Sequence, residues 1–497
     1  MSRQLTRRRF LGKTGSLVAV SALGPYFCTG RVGVAEPMKR VLGRTGWEVT
    51  TFGLGGQASL QWTPPGVDPV AIILKAFDKG VNYFDTSNVY GPSPANYGKA
   101  FRSLHLVPGE PGYDERLRRS IHLASKTMVR YAKGRNPEVP GWTQGPLGST
   151  AVDDLKRTLS LVYGDGQGNY PEGAYLDVFF IHNLNTMQEI DAIYEGFEAP
   201  DPAAERIGAL AALADYRDGT NHTGLNPKEE KLIRAVGISG HFSSPVMMEC
   251  LQRDTRDLID VMLIAVNAND RRYFPHQYNA IPVAQAKGVG VVAMKVFADG
   301  AMYTKEPKWS RTPEDVVLTV GSPELPSRRL IEYSLSVPGI ATAIIGIGHI
   351  DSDPRNCQLE QDLSAAQIEP EALTESDRAE IEALALKAKE GRTNWFQLPS
   401  QPLTPPREPA LEVERRDEAL LARLTWHTAY AADAPIVRYE IRRDGTTVGT
   451  VEHRPQVTKE PFAFEDRLPG PGRHAYTLAT VDGAGRTAVT EPLEVRI

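Results

Sequence analysis

Eight short segments of the chain are almost continuously apolar or β-branched, and segments with helical spacing separate them. A continuous apolar run without alternation predicts a strand that is covered on both faces, as in a parallel sheet. The predicted strands are Thr51–Leu54, Val81–Phe84, Ile121–Ser125, Leu176–Ile181, Ala235–Ile238, Val261–Val266, Val289–Met294 and Ala341–Ile345. Eight strands alternating with helices predict an α/β fold, a (β/α)8 barrel of the TIM type. A doubly wound sheet is the alternative, although no Gly-x-Gly-x-x-Gly sequence opens a helix.

Helices are predicted where apolar residues recur at intervals of three and four positions. The predicted helices are Pro69–Lys79, Val152–Val162, Pro245–Gln252, Pro282–Lys287, Ser327–Ser336 and a segment from Thr374 to about Lys389. Three connections after predicted strands are longer than a minimal barrel needs, and we expect them at the mouth, where they shape substrate access. These connections are Lys133–Gly148, Asn185–Pro202 and Ala298–Pro323.

The pattern changes after Trp395, so we assign the barrel to residues 36–395. A proline-rich stretch predicts a semi-extended linker over residues 396–409. Short strands and turns follow, and they predict a small all-β sandwich over residues 410–497 that folds separately from the barrel. The predicted strands are Leu421–His427, Ile436–Arg442, Thr447–Val451, Ala475–Val481 and Ala488–Arg496. The segments around Leu424-Thr-Trp and Tyr476-Thr-Leu-Ala-Thr-Val-Asp resemble a fibronectin type III module, which implies a packing or adhesion role, with surface or polysaccharide contact as one form of it.

The N-terminal 35 residues have a different character from the rest of the chain. Thr6-Arg-Arg-Arg-Phe-Leu-Gly-Lys13 is basic, Leu17–Phe27 is apolar, and small residues follow up to Ala35. This order predicts a signal peptide cleaved near Ala35, and the apolar run is too short for a transmembrane span. The paired arginines resemble a twin-arginine export signal, which implies a periplasmic or other extracytoplasmic location. A basic tail without a targeting function is the alternative.

Composition narrows the possible partners of this 497-residue chain. Hydrophobic residues at 41% and charged residues at 24% are typical of a globular protein. The net charge of -5 offers no basic face, so we predict no nucleic acid partner. If Cys28 is removed with the signal peptide, Cys250 and Cys357 remain, and two distant cysteines predict neither a disulfide framework nor a metal site.

Four polar side chains lie at or just beyond the ends of predicted strands. Asp85 and Tyr90 belong to Val81-Asn-Tyr-Phe-Asp-Thr-Ser-Asn-Val-Tyr-Gly91, whereas Lys126 and His182 end the next two strands. The carboxyl ends of strands are where α/β proteins carry their chemistry. A carboxylate, a phenol, an ammonium and an imidazole at one mouth form a proton-transfer set. The alternative roles are a capping residue for Asp85, a packing residue for Tyr90 and a core histidine for His182.

These segments resemble the catalytic motifs of the aldo-keto reductase superfamily. A buried strand followed by DTxxxYG, a strand ending in Lys-Thr and a strand ending in Ile-His occur in the family's order, within a match over about residues 38–386. The resemblance implies that Tyr90 is the general acid/base and that the Lys126 ammonium lowers the pKa of its phenol. It also implies that Asp85 holds the lysine and that His182 orients the substrate oxygen.

The same resemblance implies a nicotinamide cofactor, NADP rather than NAD, although NAD is possible. By position, the residues that would bind it are Gly56, Ser239, Met294, Lys295, Val296, Gly346, Arg355 and Asn356. Ser239 matches the serine that binds the carboxamide in relatives, but Gly240 and Leu263 replace two amide side chains. Arg355 and His349 are the candidate cations for the 2′-phosphate.

The sequence therefore predicts an exported, NADP-dependent oxidoreductase that interconverts a carbonyl and an alcohol, on a small and sugar-like substrate. The alternative is a catalytically weakened barrel that acts as an extracytoplasmic binding protein, which the altered carboxamide contacts favour and the intact tetrad opposes.

Overall fold

The computed structural model describes residues 36–136, 149–303, 305–390, 399–416 and 419–497. The predicted signal peptide, most of the predicted loop 133–148 and the start of the predicted linker lie outside these ranges.

Strands and helices alternate through the first and larger part of the chain. The strands are β1 (Lys39–Val41), β2 (Glu48–Thr50), β3 (Phe52–Leu54), β4 (Tyr83–Asp85), β5 (His122–Met128), β6 (Tyr131–Lys133), β7 (Leu176–His182), β8 (Ile207–Gly208), β9 (Ile233–Gly240), β10 (Ile259–Ala265), β11 (Gly290–Met294) and β12 (Ile340–Ile345). The helices are α1 (Pro69–Asp78), α2 (Ser93–Ser103), α3 (Glu115–Arg119), α4 (Ala151–Tyr163), α5 (Met187–Ile193), α6 (Ala209–Asp218), α7 (Ser244–Arg253), α8 (Ala280–Ala286), α9 (Ser327–Leu335), α10 (Gln358–Ala365) and α11 (Glu375–Ala388).

Eight of these strands close into a parallel barrel in the order β3, β4, β5, β7, β9, β10, β11 and β12, with β12 paired to β3. Each corresponds to one of the eight predicted strands, so the predicted barrel is confirmed. Inward-facing residues such as Tyr83, Phe180 and Val261 fill its centre, and a second apolar layer lies between strands and helices. The strands form as predicted because both faces are buried, which requires uninterrupted apolar sequence.

Several helices escaped the pattern analysis because their sequences lack a clear apolar stripe. Helix α6 is rich in alanine and is buried on nearly every side, so no polar face marks it. Helix α5 is short and falls inside the predicted loop Asn185–Pro202, where Thr186 and Glu189 form a capping box.

The C-terminal region is all-β, as predicted. Its strands are β13 (Arg407–Arg416), β14 (Ala419–His427), β15 (Ile436–Arg443), β16 (Thr446–Glu452), β17 (Phe462–Arg467), β18 (Arg473–Asp482), β19 (Thr487–Val489) and β20 (Leu493–Arg496). Strands β13, β14 and β17 form one antiparallel sheet, and β16, β15, β18, β19 and β20 form the other. Trp426, Tyr439 and Phe462 lie in their shared apolar core.

The predicted linker is shorter than expected, because β13 begins at Arg407 and residues 407–409 belong to the sandwich. The pairing of β13 with β14 shifts register between Arg407 and Ala410. Pro409 therefore lies at an irregularity, where a strand tolerates a residue without an N–H. Proline and charge in this stretch concealed the strand from pattern analysis.

The barrel and the sandwich share a hydrogen-bonded interface, and separate folding of the sandwich stays a prediction. Gln252 of α7 donates from Nε2 to the Gln456 carbonyl at 2.8 Å, and this contact is buried. The connecting segment also bonds to the barrel, since Gln401 N–H donates to the Arg272 carbonyl at 2.9 Å. A truncation near Pro405 would remove the partner of the Gln252 amide.

None of the described helices is both long and apolar enough to cross a membrane.

Candidate active site

The side chains of the predicted tetrad meet at one mouth of the barrel. Asp85 and His182 are the last residues of β4 and β7, and Lys126 lies near the end of β5. Because the strands are parallel, their carboxyl ends share one face of the barrel. The buried strands thus bring together polar groups that lie far apart in the sequence.

Asp85 and Lys126 form a buried ion pair at the centre of this face. Lys126 Nζ lies 2.6 Å and 2.8 Å from the two Asp85 carboxylate oxygens and donates to the Thr86 carbonyl at 2.9 Å. Burial raises the pKa of Asp85 and lowers the pKa of Lys126, and the ion pair opposes both shifts. The bidentate contact fixes the ammonium, as the sequence predicted for Asp85.

Tyr90 lies beside this ion pair, with Lys126 Nζ at 4.7 Å from the centroid of its ring. The expectation that Lys126 lowers the phenol's pKa is wrong for this structure. Burial raises the pKa of Tyr90 well above its ordinary value, and the negative charges of Asp85 and Asp299 raise it further. In addition, Asp85 neutralises the Lys126 ammonium, which leaves little positive field for a phenolate. Tyr90 is therefore a protonated phenol, the form that donates a proton.

His182 is hydrogen-bonded to Ser239, a residue that the sequence analysis assigned to the cofactor carboxamide. Its Nδ1 lies 2.6 Å from Ser239 Oγ, and Ser239 is fully buried. Burial lowers the pKa of His182 well below its ordinary value, with Lys126 and Lys295 adding to the effect, so the ring is neutral. The Ser239 hydroxyl also lies 3.4 Å from the Ile181 carbonyl. If its one proton is donated to Nδ1 across the shorter contact, the ring proton of His182 lies on Nε2, which leaves that nitrogen as a donor toward a ligand.

One cavity of about 500 Å³ opens onto these groups. Asp85, Tyr90, Lys126 and His182 all line it. So do five of the residues predicted to bind a cofactor, namely Gly56, Met294, Lys295, Val296 and Gly346. Ser239 does not, because it lies behind His182.

Gly56 is a position where the pocket wall requires a residue without a side chain. A Cβ there would lie 2.3 Å from the Asp85 carbonyl oxygen, closer than any real contact. The backbone of the β3 end therefore packs directly on the β4 end, which brings the floor of the pocket close to Asp85.

Arg355 and Asn356 lie outside the wall of the cavity. Arg355 is 88% exposed and pairs with Asp353 at 2.7 Å, two residues earlier in the chain. His349, the other candidate cation, lies 2.9 Å through Nδ1 from the Leu318 carbonyl. Sequence position alone could not reveal that both side chains have partners of their own.

Lys295 brings a second ammonium into the pocket. Its Nζ donates to Gln57 Oε1 at 3.3 Å and lies 4.1 Å from the centroid of the Trp309 ring. Burial lowers the pKa of Lys295 to about 8, with nearby Lys126 and Lys305 lowering it and Asp299 opposing the shift. The ammonium is thus close to its titration point in neutral solution.

The structure adds pocket residues that the sequence analysis missed. Asn183, His241, Trp309 and Arg311 line the cavity. Trp309 and Arg311 belong to Ala298–Pro323, the one predicted mouth loop that contributes to the described wall. Asn183 is the first residue after β7, and His241 is the first residue after β9. Their position next to strand ends was the sequence feature that could have identified them.

Asn183 has an amide without a protein partner among the described residues. Its Oδ1 is buried and accepts no hydrogen bond, and its Nδ2 donates none. A buried polar atom left unpaired costs free energy, so such a group in a pocket wall indicates a ligand contact.

No metal-ligand cluster occurs within the described ranges, where no three His, Cys, Asp or Glu side chains converge. Cys250 and Cys357 are both buried free thiols.

Similarity to known proteins was found for the barrel and for the C-terminal region separately. The model of the aldo/keto reductase family matches residues 51–317. The chain is 23% identical over 351 residues to L-galactose dehydrogenase of Arabidopsis thaliana, which covers 68% of this chain and 92% of that protein. It is 25% identical over 279 residues to pyridoxal 4-dehydrogenase of Microbacterium luteolum, covering 53% of this chain and 72% of that protein.

Among solved structures, the chain is similar to an aldo-keto reductase enzyme from a Medee basin deep-sea metagenome library. That match has 14% identity and a TM-score of 0.41, and it covers 73% of this chain and all of that one (100%). The fibronectin(III)-like modules of Clostridium thermocellum CbhA match 19% of this chain and 91% of theirs, with 22% identity and a TM-score of 0.14.

Proposed function

The chain belongs to the aldo/keto reductase family, and we propose that it is an NADP-dependent oxidoreductase that interconverts a carbonyl and an alcohol on a small, sugar-like substrate. The observation that carries this proposal is the convergence of Asp85, Tyr90, Lys126 and His182 on one cavity. A carboxylate, a phenol, an ammonium and an imidazole in contact with one space are the groups that carbonyl reduction needs.

A bound nicotinamide dinucleotide would supply the hydride, since none of these side chains can. Tyr90 would give its proton to the substrate oxygen during reduction and take it back during oxidation. His182 would donate from Nε2 to the same oxygen and orient it, with Ser239 holding the ring.

The residues of the pocket fit a nicotinamide dinucleotide. Asn183 offers an unpaired amide that can exchange hydrogen bonds with a carboxamide, in place of the amides missing at Gly240 and Leu263. The Lys295 ammonium and the Arg311 guanidinium offer positive charge for phosphate groups.

The role of Asn183 has a direct binding test. Asn183→Ala should weaken binding of the dinucleotide by about tenfold, the size of one lost hydrogen bond in a buried site. Binding of the matching ADP-ribose, which lacks the nicotinamide, should stay unchanged in titration calorimetry. Equal weakening of both ligands would assign Asn183 to another part of the cofactor or to a structural role.

The choice of NADP over NAD rests on cations near the pocket. Arg311 lines the cavity, and its guanidinium has no carboxylate partner in the described part of the chain, whereas the Arg355 guanidinium is paired with Asp353. Comparing the Kd of NADP and NAD for the protein, Arg311→Ala and Arg355→Ala would test the preference. Equal affinity of the unaltered protein for both cofactors would contradict it.

A sugar-like substrate suits the character of the cavity wall. Trp62 and Trp309 offer aromatic faces, and Gln61 offers an amide N–H that can bond a hydroxyl group. One relative is named for the dehydrogenation of a sugar, L-galactose.

The experiment that tests the function follows the near-ultraviolet absorbance of reduced nicotinamide dinucleotide with a panel of aldoses, ketoses and simple aldehydes. Dinucleotide fluorescence, measured in parallel, reports binding without turnover. Turnover of at least one carbonyl is the expected result. Tight binding with no turnover across the panel would favour the alternative, a binding protein built on this barrel.

Export through the N-terminal segment is part of the same proposal. Because nicotinamide dinucleotides are made in the cytoplasm, an exported enzyme would have to load its cofactor first and retain it. The loop Ala298–Pro323 supports retention, because eight of its residues, including Trp309 and Arg311, line the cavity. Near-stoichiometric dinucleotide released by denaturing protein from the exported fraction is the expected result. An empty protein, or one found only in the cytoplasm, would contradict the proposal.

Pull-down of the full-length protein on insoluble polysaccharides would test the predicted contact of the sandwich.

A further inference from the structure

The interface between barrel and sandwich reaches a part of the barrel that contacts the active site. On the barrel side it includes α7, α8 and the 3-10 turn His276–Tyr278, which precedes α8. On the sandwich side it includes residues 428–436 and 453–456. Tyr278 also packs against the apolar core of the sandwich.

Asn279 is the side chain that joins the two parts at this turn. Its Nδ2 donates to the Pro275 carbonyl at 3.0 Å and to the Ala431 carbonyl at 3.1 Å. Its Oδ1 accepts from the Ala431 N–H at 2.8 Å. Asn279 is only 3% exposed, so these three bonds are made away from water. A single buried amide therefore bonds the sandwich on one side and the start of the turn on the other.

His276 connects the turn to the wall of the catalytic pocket. Its Nε2 donates to the His241 carbonyl at 3.1 Å, and its Nδ1 lies 2.8 Å from the hydroxyl of Ser244, which begins α7. Burial lowers the pKa of His276 to about 4, so the ring is neutral and holds one tautomer. The turn is thereby bonded to the residue that follows β9.

His241 stands directly beside the catalytic histidine. Its ring centroid lies 5.1 Å from that of His182 and 5.7 Å from that of Trp309, with an edge-on geometry in both pairs. It lines the cavity and is 2% exposed. A shift of the His241 backbone would therefore change the wall against which His182 is packed.

We propose that Asn279 is a positioning residue through which the C-terminal sandwich holds His241, and with it His182, in the wall of the active site. The sandwich is then part of the catalytic unit. The bonds from Ala431 to Asn279, from Asn279 to Pro275 and from His276 to His241 are all buried, and buried networks with satisfied partners hold one arrangement. Without the bond between Ala431 and Asn279, the turn His276–Tyr278 can move. Because His276 bonds the His241 carbonyl, His241 can then move as well.

The test uses the full-length protein and a matched control at the same interface. Asn279→Ala removes the bond to the sandwich near the turn, and Gln252→Ala removes the equally buried bond to Gln456 at the far end of α7. Hydrogen–deuterium exchange and steady-state kinetics are measured on both variants.

Asn279→Ala should speed amide exchange in residues 273–279 and also in residues 240–242. It should lower kcat/KM by about tenfold to a hundredfold, as small misplacements of a site do. Gln252→Ala should speed exchange only near residues 252 and 456, with kcat/KM within about twofold of the parent. Equal kinetic losses in both variants, or faster exchange that stops short of residues 240–242, would overturn the proposal.

Two further measurements guard against a variant that is merely unstable. Urea unfolding of Asn279→Ala and Gln252→Ala shows whether each variant is folded under the assay conditions, so a kinetic loss in a folded Asn279→Ala reports on the site. In a double-mutant cycle with His276→Phe, the losses in kcat/KM should be less than additive if both residues act through His241. Additive losses would overturn the proposal. The exchange measurement needs no turnover, so it tests Asn279 even if the proposed reaction is wrong.

Discussion

Two tyrosines, the half-buried Tyr90 at the mouth of the barrel and the fully buried Tyr476 in the sandwich, have pKa values shifted in the same direction but differ in what their hydroxyls contact. Burial raises the pKa of both phenols above the ordinary value. The Tyr476 hydroxyl donates to Asp466 at 2.6 Å, and Asp466 also pairs with Arg443. The Tyr90 hydroxyl makes no hydrogen bond to another described residue, and it faces a cavity of about 500 Å³.

The comparison shows that a perturbed pKa does not by itself mark a catalytic residue. In the sandwich, the Tyr476 hydroxyl donates its one proton to Asp466 and has none left for a ligand. At the barrel mouth, Tyr90, His182 and Asn183 retain unused donors or acceptors beside empty space. A catalytic residue needs both a perturbed pKa and a donor or acceptor that is free to contact a ligand.

The largest expected effect separates the two tyrosines. Tyr90→Phe removes the proton donor and should lower kcat by about 10²–10⁴, with little change in dinucleotide Kd. Tyr476→Phe should leave kcat unchanged and should lower the free energy of unfolding by about 1.5–3 kcal/mol, because a bond to a carboxylate is lost. Kinetics and urea unfolding of both variants provide the measurement. Parental kcat in Tyr90→Phe would exclude it as the acid.

A second comparison concerns the two ion pairs, Asp85–Lys126 in the barrel and Asp466–Arg443 in the sandwich. Lys126→Met leaves a buried, unpaired carboxylate, which should lower the free energy of unfolding by about 3–5 kcal/mol at neutral pH. Arg443→Met should cost less, because that pair is 21% and 12% exposed and Tyr476 still bonds Asp466.

The pH dependence of Lys126→Met follows from the raised pKa of Asp85. An unpaired, buried carboxylate takes up a proton more readily in the folded state than in the unfolded state, so the folded variant is destabilised as pH rises through that pKa. Its stability deficit should therefore shrink in acid. Thermal unfolding at several pH values measures this, and a deficit that is constant with pH would mean that Asp85 has found another partner.

The smallest expected effect belongs to Lys295, whose pKa is lowered to about 8. An anionic cofactor favours the ammonium, so affinity should be highest below this pH and fall as pH rises through it. A fall of about threefold to tenfold corresponds to a difference of up to one pKa unit between free and bound protein. Titration of the dinucleotide across this range is the measurement, and Lys295→Met should show a flat profile. An unchanged slope in that variant would assign the titration to another group.

Pattern analysis succeeded where a residue's environment follows from its position along one strand. Asp85, Lys126 and His182 were predicted because a polar residue that ends a buried apolar run must lie at the carboxyl end of a barrel strand. Pattern analysis was less successful where the role of a side chain depends on which residue it bonds in the folded protein. Ser239 was assigned to a carboxamide, yet its Oγ contacts His182, and Arg355 was assigned to a phosphate, yet it pairs with Asp353.

The sequence by itself determined the eight barrel strands, their order and the polar residues at their ends, because these depend on local periodicity and on burial of continuous apolar runs. Only the tertiary structure decided which groups are in contact and which remain unused. The raised pKa of Tyr90 depends on its surroundings and on the nearby charges of Asp85 and Asp299, and the link from Asn279 to His241 crosses two modules. Hydrogen bonds and charges act over a few ångströms in space, and residues at that distance lie tens to hundreds of positions apart in the chain.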